Sequence, residues 1–201
     1  MQGADGVLIS AAGRDLDAPR DRNNRTDQEL IAAINAGDES AFETLYRRYR
    51  DWVVNLAYRF TADPELALDV MQETFLYFVK KFPGFILTSK LKTFLYPAVR
   101  NLSIAARRQK DRLYLHEATD FDLEAIPASE PKIEWDNSLK AVLSTLPEEQ
   151  REVLRLRFVD DLTLAEIAEA LEIPVGTVKS RLHNGLQTLR QDARTKNFFD
   201  Q

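Results

Sequence analysis

Apolar residues recur every three or four positions along much of this chain. Residues 26–109 contain no stretch of strand-like length in which apolar and polar residues alternate. Recurrence of this kind is typical of amphipathic helices, whereas a half-buried strand requires alternation. The clearest example is a stripe formed by Phe42, Leu45, Tyr46, Tyr49, Val53 and Leu56. The pattern therefore predicts an all-α fold in which each helix buries one face.

Helix starts are marked locally by capping signals. Three are evident: Thr26 with Glu29, Asp63 before Pro64, and Thr163 with Glu166. Pro83-Gly84 ends the third predicted helix, and a fourth is predicted over residues 89–109.

Composition divides the chain into segments of different character. Residues 1–25 lack apolar periodicity, which predicts a disordered arm. Residues 110–135 contain two prolines and many acids without periodicity, which predicts a flexible linker that reaches roughly 85 Å at ~3.3 Å per residue. We predict two small helical bundles joined by this linker. The predicted order is arm 1–25, first bundle 26–109, linker 110–135, second bundle 136–195 and tail 196–201.

The formal net charge of −5 is an average over segments of opposite sign. Residues 80–112 hold nine bases and one acid, and residues 174–201 hold five bases and two acids. Residues 26–79 hold ten acids and four bases. Segregation of this kind indicates surfaces for different partners, although solvated helix faces are the alternative.

Residue usage excludes several classes of protein. With no cysteine and two histidines, a disulfide framework or thiolate zinc site is excluded, and a multi-histidine metal site nearly so. No phosphate-binding glycine loop and no Ser/His/Asp set is evident, so we expect neither an enzyme nor a cofactor. No apolar run reaches the ~20 residues that span a bilayer and no signal-peptide pattern is present, so we expect a cytoplasmic protein without a membrane span.

A helix-turn-helix is predicted near the C-terminus. A helix over 164–171 is followed by a short turn at 172–176 and a second helix over 177–190. The outward positions of the second helix carry groups suited to base edges and phosphates in a major groove. These positions are Thr177, Lys179, Ser180, Arg181, His183 and Asn184. An ordinary helical hairpin with a polar outer face is the alternative.

The basic stretch of residues 80–112 lies among aromatic side chains. Cations follow a phosphate backbone and aromatic rings stack on unpaired bases, so the mixture favours single-stranded or melted nucleic acid. The alternative is that most of these rings belong to the core. The rings are Phe75, Tyr77, Phe78, Phe82, Phe85, Phe94 and Tyr96.

One helical face upstream of the basic stretch combines acidic, amide and apolar side chains. Its members are Asp69, Gln72, Glu73 and Leu76, at positions i, i+3, i+4 and i+7. The pattern is compatible with an intramolecular salt-bridge surface and with a docking surface for another protein.

Together these residues resemble a bacterial extracytoplasmic-function (ECF) sigma factor, the compact class of the sigma-70 family. The resemblance covers residues 27–194. Asp69–Phe75 resembles the family's Asp-x-x-Gln-Glu-x-Phe core-binding segment, and Lys92–Asn101 resembles the helix that melts and reads the −10 promoter element. The segments that resemble the domain reading the −35 element are Leu146–Leu154, Ala165–Ala168 and Pro174–Leu182.

The resemblance implies an alternative sigma factor that binds RNA polymerase core, recognises and melts promoter DNA, and takes no small-molecule substrate. Asp69, Gln72, Glu73 and Leu76 would dock on the clamp helices of the β′ subunit, and the second bundle would sit on the β flap. The implied −10 contacts are Lys90, Lys92, Tyr96, Arg100, Asn101, Arg107 and Arg108, with a base captured in the loop 85–89. The implied −35 contacts are the six outward residues of the helix-turn-helix.

The resemblance also implies an anti-sigma factor or another regulator as a partner, a nucleoid-associated location, and a linker path toward the RNA exit channel. A sigma-like decoy, which titrates an anti-sigma factor without initiating transcription, is the alternative. Run-off transcription with purified core separates the two.

Two positions depart from the family pattern. Pro97 falls inside the predicted −10 helix, so we expect either a bend or a shorter first segment. Asn184-Gly185 stands where the family usually has an Arg-Ala-like pair, so we expect an unusual base preference and a glycine cost of about 1 kcal/mol in helix stability.

Overall fold

The computed structural model of the protein describes residues 25–117 and 143–192. These two ranges contain seven α-helices and no strand, which confirms the all-α prediction. The helices are α1 (Asp27–Asn35), α2 (Glu39–Thr61), α3 (Pro64–Val79), α4 (Leu91–Glu117), α5 (Glu148–Phe158), α6 (Leu164–Leu171) and α7 (Val175–Gln191). None of these described helices combines the length and apolar character needed to cross a membrane. The predicted arm up to residue 24, linker residues 118–135 and the tail lie outside the described residues.

The predicted helix starts form as the capping signals indicate. The Thr26 backbone N–H donates to the Glu29 carboxylate at 2.6 Å, and the Glu29 N–H donates back to the Thr26 hydroxyl at 3.3 Å. Thr163 and Glu166 make the same reciprocal pair at 2.7 and 3.2 Å. These bonds satisfy N–H groups that an uncapped helix leaves without partners. The starts of α1 and α6 are thus determined by three-residue spacings in the sequence.

The first bundle, α1 to α4, is built around buried aromatic and aliphatic side chains. Its fully buried large side chains include Phe78, Tyr96, Leu30, Leu45, Leu56, Leu91 and Leu95. Phe82, Phe85 and Phe94 pack around Phe78, with ring centroids 5.2 to 5.9 Å from it. Of the seven rings in and beside the basic stretch, only Tyr77 is exposed. The interpretation that these rings belong to the core is therefore correct for the other six.

Helix α4 is longer than predicted and continuous. It extends to Glu117, eight residues beyond the predicted end at Gln109. No glycine or proline lies between residues 98 and 117, and arginine, leucine and alanine are good helix formers. Pro97 has no N–H for the carbonyl of Thr93, yet the helix continues through it, so the alternative of a shorter first segment is wrong. Buried side chains on both sides of Pro97, Tyr96 and Val99 among them, hold the helix together through packing.

Asp63 joins the start of α3 to the far half of α4. Its carboxylate caps α3 by accepting from the N–H groups of Glu65 and Leu66 at 2.9 and 3.1 Å, and it also accepts from the Lys110 ammonium. The bond from Lys110, together with the two backbone bonds, lowers the pKa of the Asp63 carboxyl. Lys110 therefore stabilises the fold in addition to contributing positive charge to the basic stretch.

We expect Asp63→Ala to lower the free energy of unfolding by about 1–2 kcal/mol, because it removes a helix cap and the pair with Lys110. Asp63→Asn keeps the cap and loses only the pair, so its smaller deficit measures that pair. A carboxyl with a lowered pKa stabilises the fold above its unfolded value of ~3.9, and this contribution is lost as pH falls through the folded value. The difference between wild type and Asp63→Asn should therefore vanish in acid, which urea unfolding at several pH values measures. Equal stabilities at neutral pH would contradict the assignment.

The second bundle consists of α5, α6 and α7. Glu172 ends α6 in the left-handed conformation (φ 55°), and Pro174 precedes α7, so α6 and α7 form the predicted helix-turn-helix. Val178 and Leu189 of α7 are buried, as predicted for its inward stripe, while Leu182 and Leu186 are half-buried against the apolar cluster that contains Leu189.

The two bundles are in contact with each other. Helix α6 packs against α4. Buried residues of both bundles, including Leu91 and Leu95 from the first and Leu162 and Ile167 from the second, belong to one apolar cluster. Helical periodicity shows which face of a helix is buried, but it does not show which other helix that face packs against. The contact between bundles is therefore a finding of the tertiary structure.

Candidate polymerase and nucleic-acid interfaces

The acidic face of α3 is open to solvent. Asp69, Gln72, Glu73 and Leu76 are all exposed, while Phe75 and Phe78 on the opposite side are buried in the core. In the described ranges neither Asp69 nor Glu73 makes an ion pair or a hydrogen bond. Within the described residues, these carboxylates therefore do not form an intramolecular salt-bridge surface.

Apolar side chains flank these carboxylates. Leu76 is 51% exposed, and Leu68, Tyr77 and Val79 on the same helix are also exposed. Exposed apolar groups bordered by charged ones are typical of protein–protein contact surfaces. The face has the composition of a docking site.

Four of the predicted −10 contacts form an exposed stripe on α4. They are Arg100, Asn101, Arg107 and Arg108, and all are exposed. Residues seven apart lie on the same side of a helix, so Arg107 follows Arg100 and Arg108 follows Asn101 along the axis. A row of guanidinium groups at this spacing can follow a phosphate backbone.

Tyr96 is placed differently from the rest of this set. Its side chain is 1% exposed and its ring packs edge-on against Phe60, with centroids 6.3 Å apart. Its hydroxyl has no hydrogen-bond partner in the described part of the chain. The predicted contact between Tyr96 and DNA conflicts with this position, because no face of a buried ring is available to a base.

Lys90 and Lys92, at the start of α4, lie against the second bundle. The Lys92 ammonium is 3.5 Å from the Asp160 carboxylate, and the Lys90 ammonium is 3.5 Å from that of Asp161. The Trp52 indole N–H of α2 donates to the same Asp160 carboxylate at 2.5 Å. Sequence reasoning did not find Trp52 or the two aspartates, since 108 positions separate Trp52 from Asp160 and no local spacing links them.

Burial changes the pKa values of charged groups around this contact. Burial lowers the pKa of Arg59, and the carboxylates of Asp160 and Glu152 oppose that shift. Burial also raises the pKa of Glu152 and lowers that of Arg155 on α5. Both effects follow from removing a charged group from water. The side of α5 that carries these groups is therefore partly desolvated.

Helix α7 presents most of its predicted −35 contacts to solvent. Lys179, Ser180, His183 and Asn184 are exposed, and Thr177 is half-buried at the first turn. Arg181 is also half-buried, because its guanidinium is 2.7 Å from the Glu149 carboxylate of α5. Exposed donors and acceptors near the N-terminus of the second helix match the way such helices enter a major groove.

Gly185 faces the interior of the second bundle. A Cβ atom at this position would lie 2.9 Å from Cδ1 of Leu154, closer than packed carbon atoms normally approach. The absent side chain lets α7 lie close to α5, and this close approach accounts for the glycine. Asn184, the other member of the pair, is exposed.

No candidate metal centre is found in the described ranges. They contain no group of three or more histidine, cysteine, aspartate or glutamate side chains arranged to hold a metal ion.

Comparison with known proteins identifies the family to which this chain is similar. The family model described as Sigma-70 region 2 matches residues 45–113, and the model described as Sigma-70, region 4 matches residues 142–191. The ECF RNA polymerase sigma factor SigW of Bacillus subtilis is 31% identical over 180 residues, covering 83% of this chain and 96% of the relative. The ECF RNA polymerase sigma-E factor of Escherichia coli is 30% identical over 177 residues, covering 82% and 92%.

Two solved structures share the fold. The sigma factor RpoE in complex with the anti-sigma factor NepR from Bartonella quintana aligns with a TM-score of 0.54 and 22% identity, over 75% of this chain and 94% of that one. CnrH in complex with the cytosolic domain of CnrY aligns with a TM-score of 0.55 and 20% identity, over 87% and 97%. The helical architecture, the matches to both region models and the sequence identity to the relatives all indicate the same family. The chain belongs to the ECF RNA polymerase sigma factors of the sigma-70 family.

Proposed function

We propose that this sigma factor docks on the β′ clamp helices of RNA polymerase core through the acidic face of α3, with Asp69, Gln72, Glu73 and Leu76 as contacts. The observation that supports this assignment is the exposure of two carboxylates that have no ion pair among the described residues. They lie next to an exposed leucine, on the helix whose other side packs into the core. The second bundle then sits on the β flap. The proposed domain limits are residues 26–109 and 136–195, with α4 extending past the first of them.

For the −10 element, the proposed contacts are Lys90, Lys92, Arg100, Asn101, Arg107 and Arg108. Tyr96 is left out because it is buried. The loop 85–89 is proposed to capture a base, and the exposed stripe on α4 to hold the displaced strand. The positive charge of this stripe supplies affinity for phosphates, while the loop and side-chain contacts supply sequence preference.

For the −35 element, the proposed contacts are the outward residues of α7: Thr177, Lys179, Ser180, Arg181, His183 and Asn184. Arg181 must leave Glu149 to reach DNA, and Glu149 is itself 68% exposed, so water screens the pair that must break. We also propose an anti-sigma factor or another regulator as a partner, and a cytoplasmic, nucleoid-associated location that follows from work on promoter DNA.

Reconstitution with purified core tests the function. We expect the holoenzyme to give run-off transcripts and to enrich promoters that share two elements when bound DNA is selected and sequenced. Core alone is the control. A chain that binds core and a regulator but yields no transcript from any selected DNA would be the decoy instead.

A further inference from the structure

Helix α7 carries a row of uncharged side chains on its outer face. At about 3.6 residues per turn, Ser180, Asn184 and Gln187 lie along one line of the helix, at positions i, i+4 and i+7. All three are exposed, whereas Val178 and Leu189 on the opposite side are buried. We call Ser180, Asn184 and Gln187 the central row.

Cationic side chains lie on both sides of the central row. At about 100° of rotation per residue, Lys179 and Arg190 fall on one side of it and Arg181 on the other. A helix in the major groove turns its outermost line toward the base edges and its flanks toward the two phosphate backbones. In that position the uncharged row faces bases, which carry sequence information, and the cations face phosphates, which do not.

Asn184 combines a fixed backbone with a side chain that is open to a ligand. Its neighbour Gly185 is buried, and the backbone there comes so close to α5 that a Cβ atom would lie 2.9 Å from Cδ1 of Leu154. The backbone carbonyl of Asn184 accepts from the Thr188 hydroxyl at 3.1 Å. Within the described ranges, the side-chain amide of Asn184 makes no hydrogen bond. A side chain that reads a base requires this combination of a rigid element and available polar atoms.

The amide of asparagine matches one base better than the others. It offers a carbonyl oxygen that accepts a hydrogen bond and an amino group that donates one. In the major groove, adenine presents its N6 amino group as a donor beside N7 as an acceptor, so the two hydrogen bonds form together. Guanine presents two acceptors, N7 and O6, and the asparagine oxygen would face one of them. An exposed asparagine in a row that faces bases is therefore suited to adenine.

We propose that Asn184 determines specificity by reading an adenine in the −35 element through N6 and N7 of that base. The proposal rests on the proposed −35 function of α7. Ser180 lies about 6 Å away along the helix axis, at 1.5 Å per residue, and a hydroxyl that donates or accepts tolerates several bases. Gln187 has the same amide on a longer side chain, so fixing it costs more entropy. Asn184 is thus the member of the central row that discriminates most.

The first test selects DNA with holoenzyme reconstituted from purified core and the full-length chain, from a library whose −35 element is randomised. We expect wild type to select one base pair at which adenine is preferred by about 5- to 150-fold, the range for a good base contact. Asn184→Ala should abolish that preference. Asn184→Arg should change it to guanine, whose two acceptors fit the guanidinium fork. The other base pairs of the element should keep their preferences in both variants.

Gln191→Arg is the matched control for Asn184→Arg. It adds the same charge to an exposed position on the same side of α7, seven residues and ~10 Å further along the axis. This variant should leave the adenine preference unchanged. A change to guanine in both arginine variants would assign the effect to charge and overturn the reading by Asn184.

The second test removes one acceptor from the DNA. At the selected position, 7-deazaadenine replaces N7 by a C–H group and keeps the N6 amino group. We expect the wild-type holoenzyme to bind this promoter about fivefold or more weakly than the adenine promoter, because an amide N–H of Asn184 loses its acceptor. Holoenzyme with Asn184→Ala should bind both promoters equally. Equal binding of the two promoters by wild type would overturn the proposal.

An adenine preference that survives Asn184→Ala, or a −35 element without an adenine-specific position, would also overturn the proposal. Asn184 is exposed, so thermal unfolding of its variants should match wild type. Should Asn184→Arg fail to fold, Asn184→Ala and the 7-deazaadenine promoter decide. Run-off transcription keeps this result separate from the proposed function. A wild-type holoenzyme that transcribes, with a selection that does not respond to Asn184, rejects only the adenine reading. A holoenzyme that never transcribes rejects the proposed function and the adenine reading with it.

Discussion

Glu73→Lys is expected to weaken binding to core RNA polymerase by about 100-fold or more while leaving the protein folded. Truncating a charge within a hydrogen-bonded interface pair costs roughly 2–5 kcal/mol, and each 1.4 kcal/mol is about tenfold in affinity. A reversed charge adds repulsion to that loss. The side chain is exposed and has no ion pair in the described residues, so the fold loses no contact when it changes. Titration of labelled protein with core, together with thermal unfolding, measures both quantities.

Glu43→Lys is the matched control for this experiment. It reverses one exposed carboxylate on α2, whose pair with Arg47 is between side chains 60% and 73% exposed. The net charge changes equally in both variants, so a general electrostatic effect on core binding would appear in both. Core affinity that is unchanged in Glu73→Lys, or lost equally in Glu43→Lys, would contradict the docking assignment.

Lys179→Ala and Arg181→Ala are each expected to lower transcription from promoters that depend on the −35 element by about 5- to 150-fold. A good base contact is worth roughly 1–3 kcal/mol of discrimination, and loss of one phosphate contact reduces the salt slope by about one unit. Lys179 is exposed and, as a proposed −35 contact, would reach DNA directly, whereas Arg181 would first have to leave Glu149. Glu149→Gln should therefore improve −35 binding slightly, through Arg181.

The control for these variants is a change in the DNA template. On a template whose −35 element has been scrambled, wild type and the two variants should transcribe equally. A deficit of the same size on both templates would assign the residues to folding or to core binding instead of DNA reading. Salt titration of promoter binding then separates a phosphate contact from a base contact.

The fold was largely predictable because its signals are local. Capping boxes at Thr26 and Thr163 act within three residues, and the inward stripe ending at Leu189 follows from the helical repeat. The predicted end of α4 was wrong by eight residues, because that helix has no local stop signal and helix formers continue to Glu117. The helix continues through Pro97, since packing on both sides compensates for one missing hydrogen bond.

The candidate site was predictable only where exposure follows from periodicity. Glu73 and Lys179 lie on outward positions and are exposed. The resemblance implies a DNA contact for Tyr96, but its ring is buried beside Phe60. Residue type and position along the chain do not distinguish a stacking ring from a core ring, whereas burial does.

The sequence by itself determined the starts of α1, α3 and α6, the helix-turn-helix, the family, and the segregation of charge between an acidic helix and a basic one. These properties depend on residues three, four or seven positions apart. Only the tertiary structure decided that Asp160 and Asp161 lie against Trp52, Lys90 and Lys92. That contact joins residues far apart in the chain, and its partners are selected by packing and desolvation, which no local pattern encodes.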